Sequence, residues 1–163
     1  MFWAGFSYNR RTSLTPLLGD PDSERGGVTG RVIKACLEEQ LPTIAEPGSV
    51  FAQDDAPTHT AYVVRDWLRE WAEENGIGLV DWPAYSPDLN PIENLWKIVK
   101  DKICDNHPEL AALPKTNEAK QRLCEAAVEA WEEIEDKVLK SLVESMPRRC
   151  AAVIKANGWY TKY

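Results

Sequence analysis

The chain has 163 residues, 44% hydrophobic and 28% charged, which suits one soluble globular domain and excludes a disordered or fibrous chain. Nineteen Lys and Arg against twenty-six Asp and Glu leave a net charge of −7, which argues against a protein that coats nucleic acid through bulk positive charge. The charge is uneven, however: residues 51–100 carry four bases and nine acids, whereas from Lys137 onward six bases stand against the single acid Glu144.

Residues 2–9 and 11–18 are short apolar or β-prone runs meeting at Asn9-Arg10-Arg11, which predicts an antiparallel hairpin. Gly19-Asp20-Pro21-Asp22 breaks it. From Thr29 to Pro42 the positions Val32, Ile33, Ala35, Cys36, Leu37 and Leu41 have helical spacing. Ser49–Gln53 reads as a strand leading into Asp54-Asp55, and Pro57 ends it. Thr58 or Thr60 is placed to cap the next helix, whose stripe runs through Val64, Trp67, Leu68 and Trp71 to a stop at Asn75-Gly76. Ile77–Trp82 reads as a buried strand. After a turn-rich loop, Asn90 as N-cap, Pro91 at the first helical position and Glu93 at the third open a helix to about Ile103.

The remainder is helical: Leu123, Ala127, Trp131, Ile134, Val138 and Leu142 recur every three to four positions, and Met146-Pro147 forces a new start. The pattern predicts one α/β domain over 1–163, with a strand and helix core over about 1–105 and a helical part over about 116–157. Cys36, Cys104, Cys124 and Cys150 form no Cys-x-x-Cys pair and read as buried reduced thiols. Neither a secretory leader nor a run of 18 apolar residues is visible, which leaves nucleus or cytoplasm and no membrane.

Asp54 and Glu93 carry the candidate chemistry. One ends a strand and the other begins a helix, so both can converge on one sheet edge. Carboxylates brought within ~4–6 Å must be paired, protonated or metal-bound. With no basic partner in either motif, a hard cation such as Mg²⁺ or Mn²⁺ is the natural counter-charge. The plainer reading makes Glu93 the acid of a capping box on Asn90, Asp54-Asp55 a solvated turn, and His59 a structural residue at a helix start. Trp67, Trp71 and Trp96 read as core by their helical stripe.

Gln53-Asp54-Asp55-Ala56-Pro57-Thr58-His59 and Trp82-Pro83-Ala84-Tyr85-Ser86-Pro87-Asp88-Leu89-Asn90-Pro91-Ile92-Glu93-Asn94-Leu95-Trp96 resemble, in order and spacing, the two signatures of mariner-superfamily (Tc/mariner-like) transposases. Trp3-Ala4-Gly5, Ser145–Cys150 and Gly158–Tyr163 are similar to further motifs of that family. The resemblance implies a DDE endonuclease catalytic domain with a ribonuclease H-like mixed sheet and flanking helices. It also implies a catalytic triad binding two Mg²⁺ or Mn²⁺ ions, DNA cleavage and strand transfer, and DNA partners at transposon ends and target, with a homodimer among the expected assemblies.

By motif Asp54 is the second acid and Glu93 the third, both as catalytic residues and metal ligands. Asp55, His59 and Asn90 support them, and Asp88 braces the turn before Pro91. Lys140, Arg148, Arg149 and Lys155 are the candidate nucleic-acid contacts. Asp55 stands where the family has Asn.

The strand bearing the first acid precedes the Trp3 strand in the family, and here Met1-Phe2-Trp3 opens the chain. The expectation is a truncated or degenerate copy. Its missing first strand would lie centrally, between the second hairpin strand and the Asp54 strand, and its loss would leave two unpaired inner edges and impaired cleavage. Asp20 and Asp22 sit poorly for replacing the absent acid. The rival expectations are a non-enzymatic nucleic-acid-binding or interaction module and an inert relic.

Overall fold

The computed structural model describes residues 1–114 and 116–163. Strands β1 (Phe2–Trp3) and β2 (Thr15–Pro16) form the expected antiparallel hairpin, extended by a bridge between Phe6 and Arg11. Strands β3 (Val50–Phe51) and β4 (Gly78–Leu79) form a separate parallel pair. Helices α1 (Gly30–Gln40) and α2 (Tyr62–Asn75) surround β3 in the sequence, and α3 (Ile92–Asn106) follows β4. Helices α4 (Asn117–Glu132), α5 (Asp136–Glu144) and α6 (Met146–Lys155) complete the chain. Among the described residues, no helix is long and apolar enough to cross a membrane.

Successive strand residues face opposite sides, and β1 uses this to join two cores. Trp3, with Leu17, packs on Ile33 and Leu37 of α1 and Val64 and Leu68 of α2. Ala4, with Leu14, packs on Leu95 and Val99 of α3 and Ala127, Ala130 and Trp131 of α4. Helices therefore cover both faces of the strands. Gly30 permits the α1–α2 approach, because a Cβ there would lie 2.6 Å from Ala61 Cβ. Gly76 ends α2 in the left-handed conformation that favours glycine (φ 67°).

The two strand pairs do not join. Met1 O and Gly5 O accept from Leu17 and Thr12, so the alternation of an antiparallel ladder turns the backbone groups of Phe2 and Ala4 the other way. Ser49 O and Phe51 O likewise accept from Gly78 and Val80, turning Val50 and Ala52 away from β4. Between these edges lies a cavity of about 480 Å³ lined by Met1–Ser7 and Ser49–Asp54. The expected pair of unpaired inner edges is present, but its position is corrected: the first hairpin strand faces β3, while β2 is the outer strand. Pro16 suits that outer place, since it has no N–H to offer a further neighbour.

Other expectations also shift. Neither Thr58 nor Thr60 caps α2, which starts after Ala61 with no side-chain cap. The β4 segment is exposed rather than buried, with Leu79 and Val80 each 42% accessible. The long C-terminal stripe breaks into α4 and α5 at Glu133–Glu135. All four cysteines are free, yet only Cys36 is buried, and burial raises its thiol pKa to about 11. Cys104 and Cys150 are exposed. Trp67, Trp71 and Trp96 pack on the cores as expected: Trp67 stacks on Trp71 and Trp96 on Trp131, each pair with centroids 5.8 Å apart.

Candidate functional site

Asp54 lies three residues beyond β3, where the chain leaves the sheet. Its Oδ1 accepts the Ala56 N–H at 3.2 Å and meets His59 Nδ1 at 2.6 Å. This local loop presents the carboxylate half-exposed, at 49% side-chain accessibility. Ala56 O accepts the His59 and Thr60 N–H groups, and this turn carries the imidazole back to Asp54.

Glu93 stands in the first turn of α3. The expected cap shifts by one residue, since α3 begins at Ile92 with Pro91 at the N-cap position and no side-chain cap there, while Asn90 Oδ1 accepts the Ile92 N–H at 3.3 Å and Asn90 O accepts the Glu93 N–H just before the helix. The reciprocal half of the capping box is not formed: the Asn90 N–H donates to Pro87 O. Glu93 is exposed, and among the described residues its carboxylate has no hydrogen-bond or ion-pair partner.

These residues share cavity walls. Asp54, His59, Asn90 and Glu93 line the 480 Å³ cavity, and Asp54, Asp55, Asn90 and Glu93 line a second cavity of about 440 Å³ beneath the Trp82–Pro87 loop. Asp55 belongs to the second cavity only. The two carboxylates, with an imidazole on Asp54, are donor types that suit a divalent cation that takes oxygen ligands. They are not drawn together into a ligand cluster, since among the described residues no three His, Cys, Asp or Glu side chains are grouped to hold a metal ion. Asp20 adds no ligand: it is 4% exposed, its carboxylate accepting from Thr29 Oγ1, the Arg31 guanidinium and the Asp22 N–H.

The basic residues divide. Lys140, Arg148 and Lys155 are exposed. Arg149 is 2% exposed, so its expected place among the phosphate-facing bases is corrected. Its Nε donates to Ser145 Oγ, Nη1 to Asp88 O at 2.8 Å and Nη2 to Asn94 Oδ1 at 2.6 Å. The Asp88 side chain does not brace the Pro91 turn. Its Oδ2 accepts from the Thr161 N–H at 3.1 Å and from Thr161 Oγ1 at 2.7 Å. Sequence reasoning missed this connection because its partners lie 55 to 73 residues apart. The available signal was that two C-terminal motifs stood beside a loop motif without assigned work.

Residues 23–113, more than half of the chain, match the family model for DDE superfamily endonucleases. The chain is 43% identical over 117 residues to the Tc1 transposase of Caenorhabditis elegans, covering 71% of this chain and 38% of that protein. It is 39% identical to the Tcb1 transposase of Caenorhabditis briggsae over 100% of this chain and 54% of the relative. The chain thus spans about half the length of the curated relatives it matches. Among solved structures, a Mos1 transposase catalytic domain bound to raltegravir and Mn superposes with TM-score 0.54 at 18% identity, covering 99% of this chain and 82% of that one. The Mos1 strand transfer complex gives 0.55 at 18% identity, covering 93% and 44%. These likenesses carry the ribonuclease H-like fold. With both signature loops lining one cavity on that fold, the chain belongs to the DDE superfamily endonucleases, as the DDE catalytic domain of a Tc1/mariner-type transposase.

Proposed function

We propose that this domain serves DNA transposition, with Asp54 and Glu93 as oxygen ligands for Mg²⁺ or Mn²⁺ and DNA at transposon ends and target sites as substrate. The observation that carries the reading is the unpartnered Glu93 carboxylate lining the same cavity as Asp54. A helix-capping role would have bonded Glu93 to Asn90, whose N–H instead donates to Pro87. When bound, divalent ions supply charge stabilisation to the oxygens of a phosphodiester displacement. The chain's own contribution is to aim the two carboxylates and to orient Asp54 through His59.

We further infer that the 163-residue chain is deficient in strand cleavage, because two carboxylates give a weak and poorly fixed metal site. Mn²⁺ titration by calorimetry tests the ligands: Asp54→Ala and Glu93→Ala should each abolish the heat of binding, and unchanged binding in Glu93→Gln would return Glu93 to a structural role. Nicking of a plasmid carrying transposon ends tests the deficiency. Robust cleavage lost in both alanine variants would overturn it.

A second reading is a nucleic-acid-binding module without catalysis, favoured by the exposed Lys140, Arg148 and Lys155. DNA affinity that falls with salt and survives Asp54→Ala would support it.

A further inference from the structure

We propose that Arg149 and Thr161 form a clamp that positions Glu93, so that the C-terminal tail is part of the acidic site; the inference rests on the metal-ligand reading of Glu93. Arg149 projects from α6, and its fork reaches two points that bracket Glu93: the Asp88 carbonyl, five residues before it, and the Asn94 side chain, immediately after it. A guanidinium holds its donors in one plane, so fixing both points fixes the turn between them. Glu93 has no side-chain partner among the described residues, and its direction is therefore set by the backbone of that turn.

The tail completes the clamp. Thr161 places its N–H and its hydroxyl on one Asp88 oxygen, and the Tyr163 ring lies 4.9 Å from the Arg149 guanidinium carbon. Asp88 is thereby held at its carbonyl by α6 and at its carboxylate by the tail. Its 9% exposure shields these bonds from water, where a charge-assisted bond is stronger. Residues that orient a ligand without touching the ion typically change metal affinity by ~10-fold to 100-fold when removed.

The test uses the full chain with Thr161→Val, Thr161→Ser and Arg149→Lys. Hydrogen exchange by mass spectrometry should show faster exchange over Leu89–Leu95 in Thr161→Val and Arg149→Lys, with α1 and α2 protected as in the parent, and Thr161→Ser should restore protection. Mn²⁺ affinity, read by electron paramagnetic resonance of the free ion, should fall about tenfold in Thr161→Val and recover in Thr161→Ser. Parent-like exchange over Leu89–Leu95 in a folded Thr161→Val overturns the clamp. Should Arg149→Lys fail to fold, the two Thr161 variants still decide. A parent chain that binds no Mn²⁺ defeats the metal reading instead, and the exchange measurement continues to judge the clamp.

Discussion

Two aspartates show how little residue type alone decides. Asp20 and Asp54 each sit in a turn-forming segment, yet Asp20 is buried and fully bonded while Asp54 is half-exposed with only the His59 imidazole and the Ala56 N–H on one oxygen. The Thr29 hydroxyl, aided by Arg31 and the Asp22 amide, holds the Asp20 carboxyl below its ordinary value. A depressed folded-state pKa contributes stability that is present above the unfolded value of about 3.9 and is lost as pH falls through the folded value. Asp20→Asn should therefore melt lower than the parent at pH 7, and the gap should narrow as pH drops below about 4. A gap independent of pH would assign the loss to packing. Cys36 gives a second contrast. With its thiol raised to about 11 by burial, it should resist iodoacetamide at pH 8 while exposed Cys104 and Cys150 are alkylated, as peptide mass mapping will read.

At the scale of elements, the hairpin and the C-terminal helices are bound by polar ties as well as by the core. The Arg11 guanidinium donates to the carbonyls of Trp131, Glu132 and Ile134, neutralising the partial negative charge where α4 ends, and Trp131 Nε1 donates to Thr12 O at 2.9 Å. Arg11→Ala should lower unfolding stability by about 1–3 kcal/mol in urea denaturation, since bonds to a charged donor are lost and carbonyls are left unpaired. An effect below a few tenths would mean that water replaces the guanidinium. None of this was legible in the sequence. Periodicity located α1, α2, α3 and the stripe that spans α4 and α5, though not the break between those two, because a buried stripe repeats within one element, and motif order located Asp54 and Glu93. Arg11, Asp88, Arg149 and Thr161 act across 55 or more residues, so no local pattern marks them. Arg149 misled for the same reason: a basic run looks uniform until the fold buries one member. The order of the strands across the gap was similarly hidden, since hairpin residues read alike whichever strand lies inside.

For the whole molecule, the balance of −7 conceals a division that sets how it can approach a polyanion. The net negative charge concentrates in the middle third, which holds Asp54 and Glu93, whereas Lys137, Lys140, Arg148, Lys155 and Lys162 are exposed in the C-terminal part and Arg149 is not. Phosphate contacts through this C-terminal cluster are therefore limited to about five, and each contributes about 0.9 to the salt dependence of duplex binding, so its share of the slope of log affinity against log salt should not exceed about 4.5 in magnitude. Arg148→Ala should reduce that slope by about one and weaken binding to all sequences alike. Arg149→Ala should behave differently: its guanidinium is buried against Asp88 and Asn94, so binding should fall only together with the melting temperature. Fluorescence anisotropy with a labelled duplex between 50 and 200 mM salt, beside a thermal melt of each variant, separates the two. A folded Arg149→Ala with a parent-like melt and a slope reduced by one would place that guanidinium on phosphate and reject the buried arrangement.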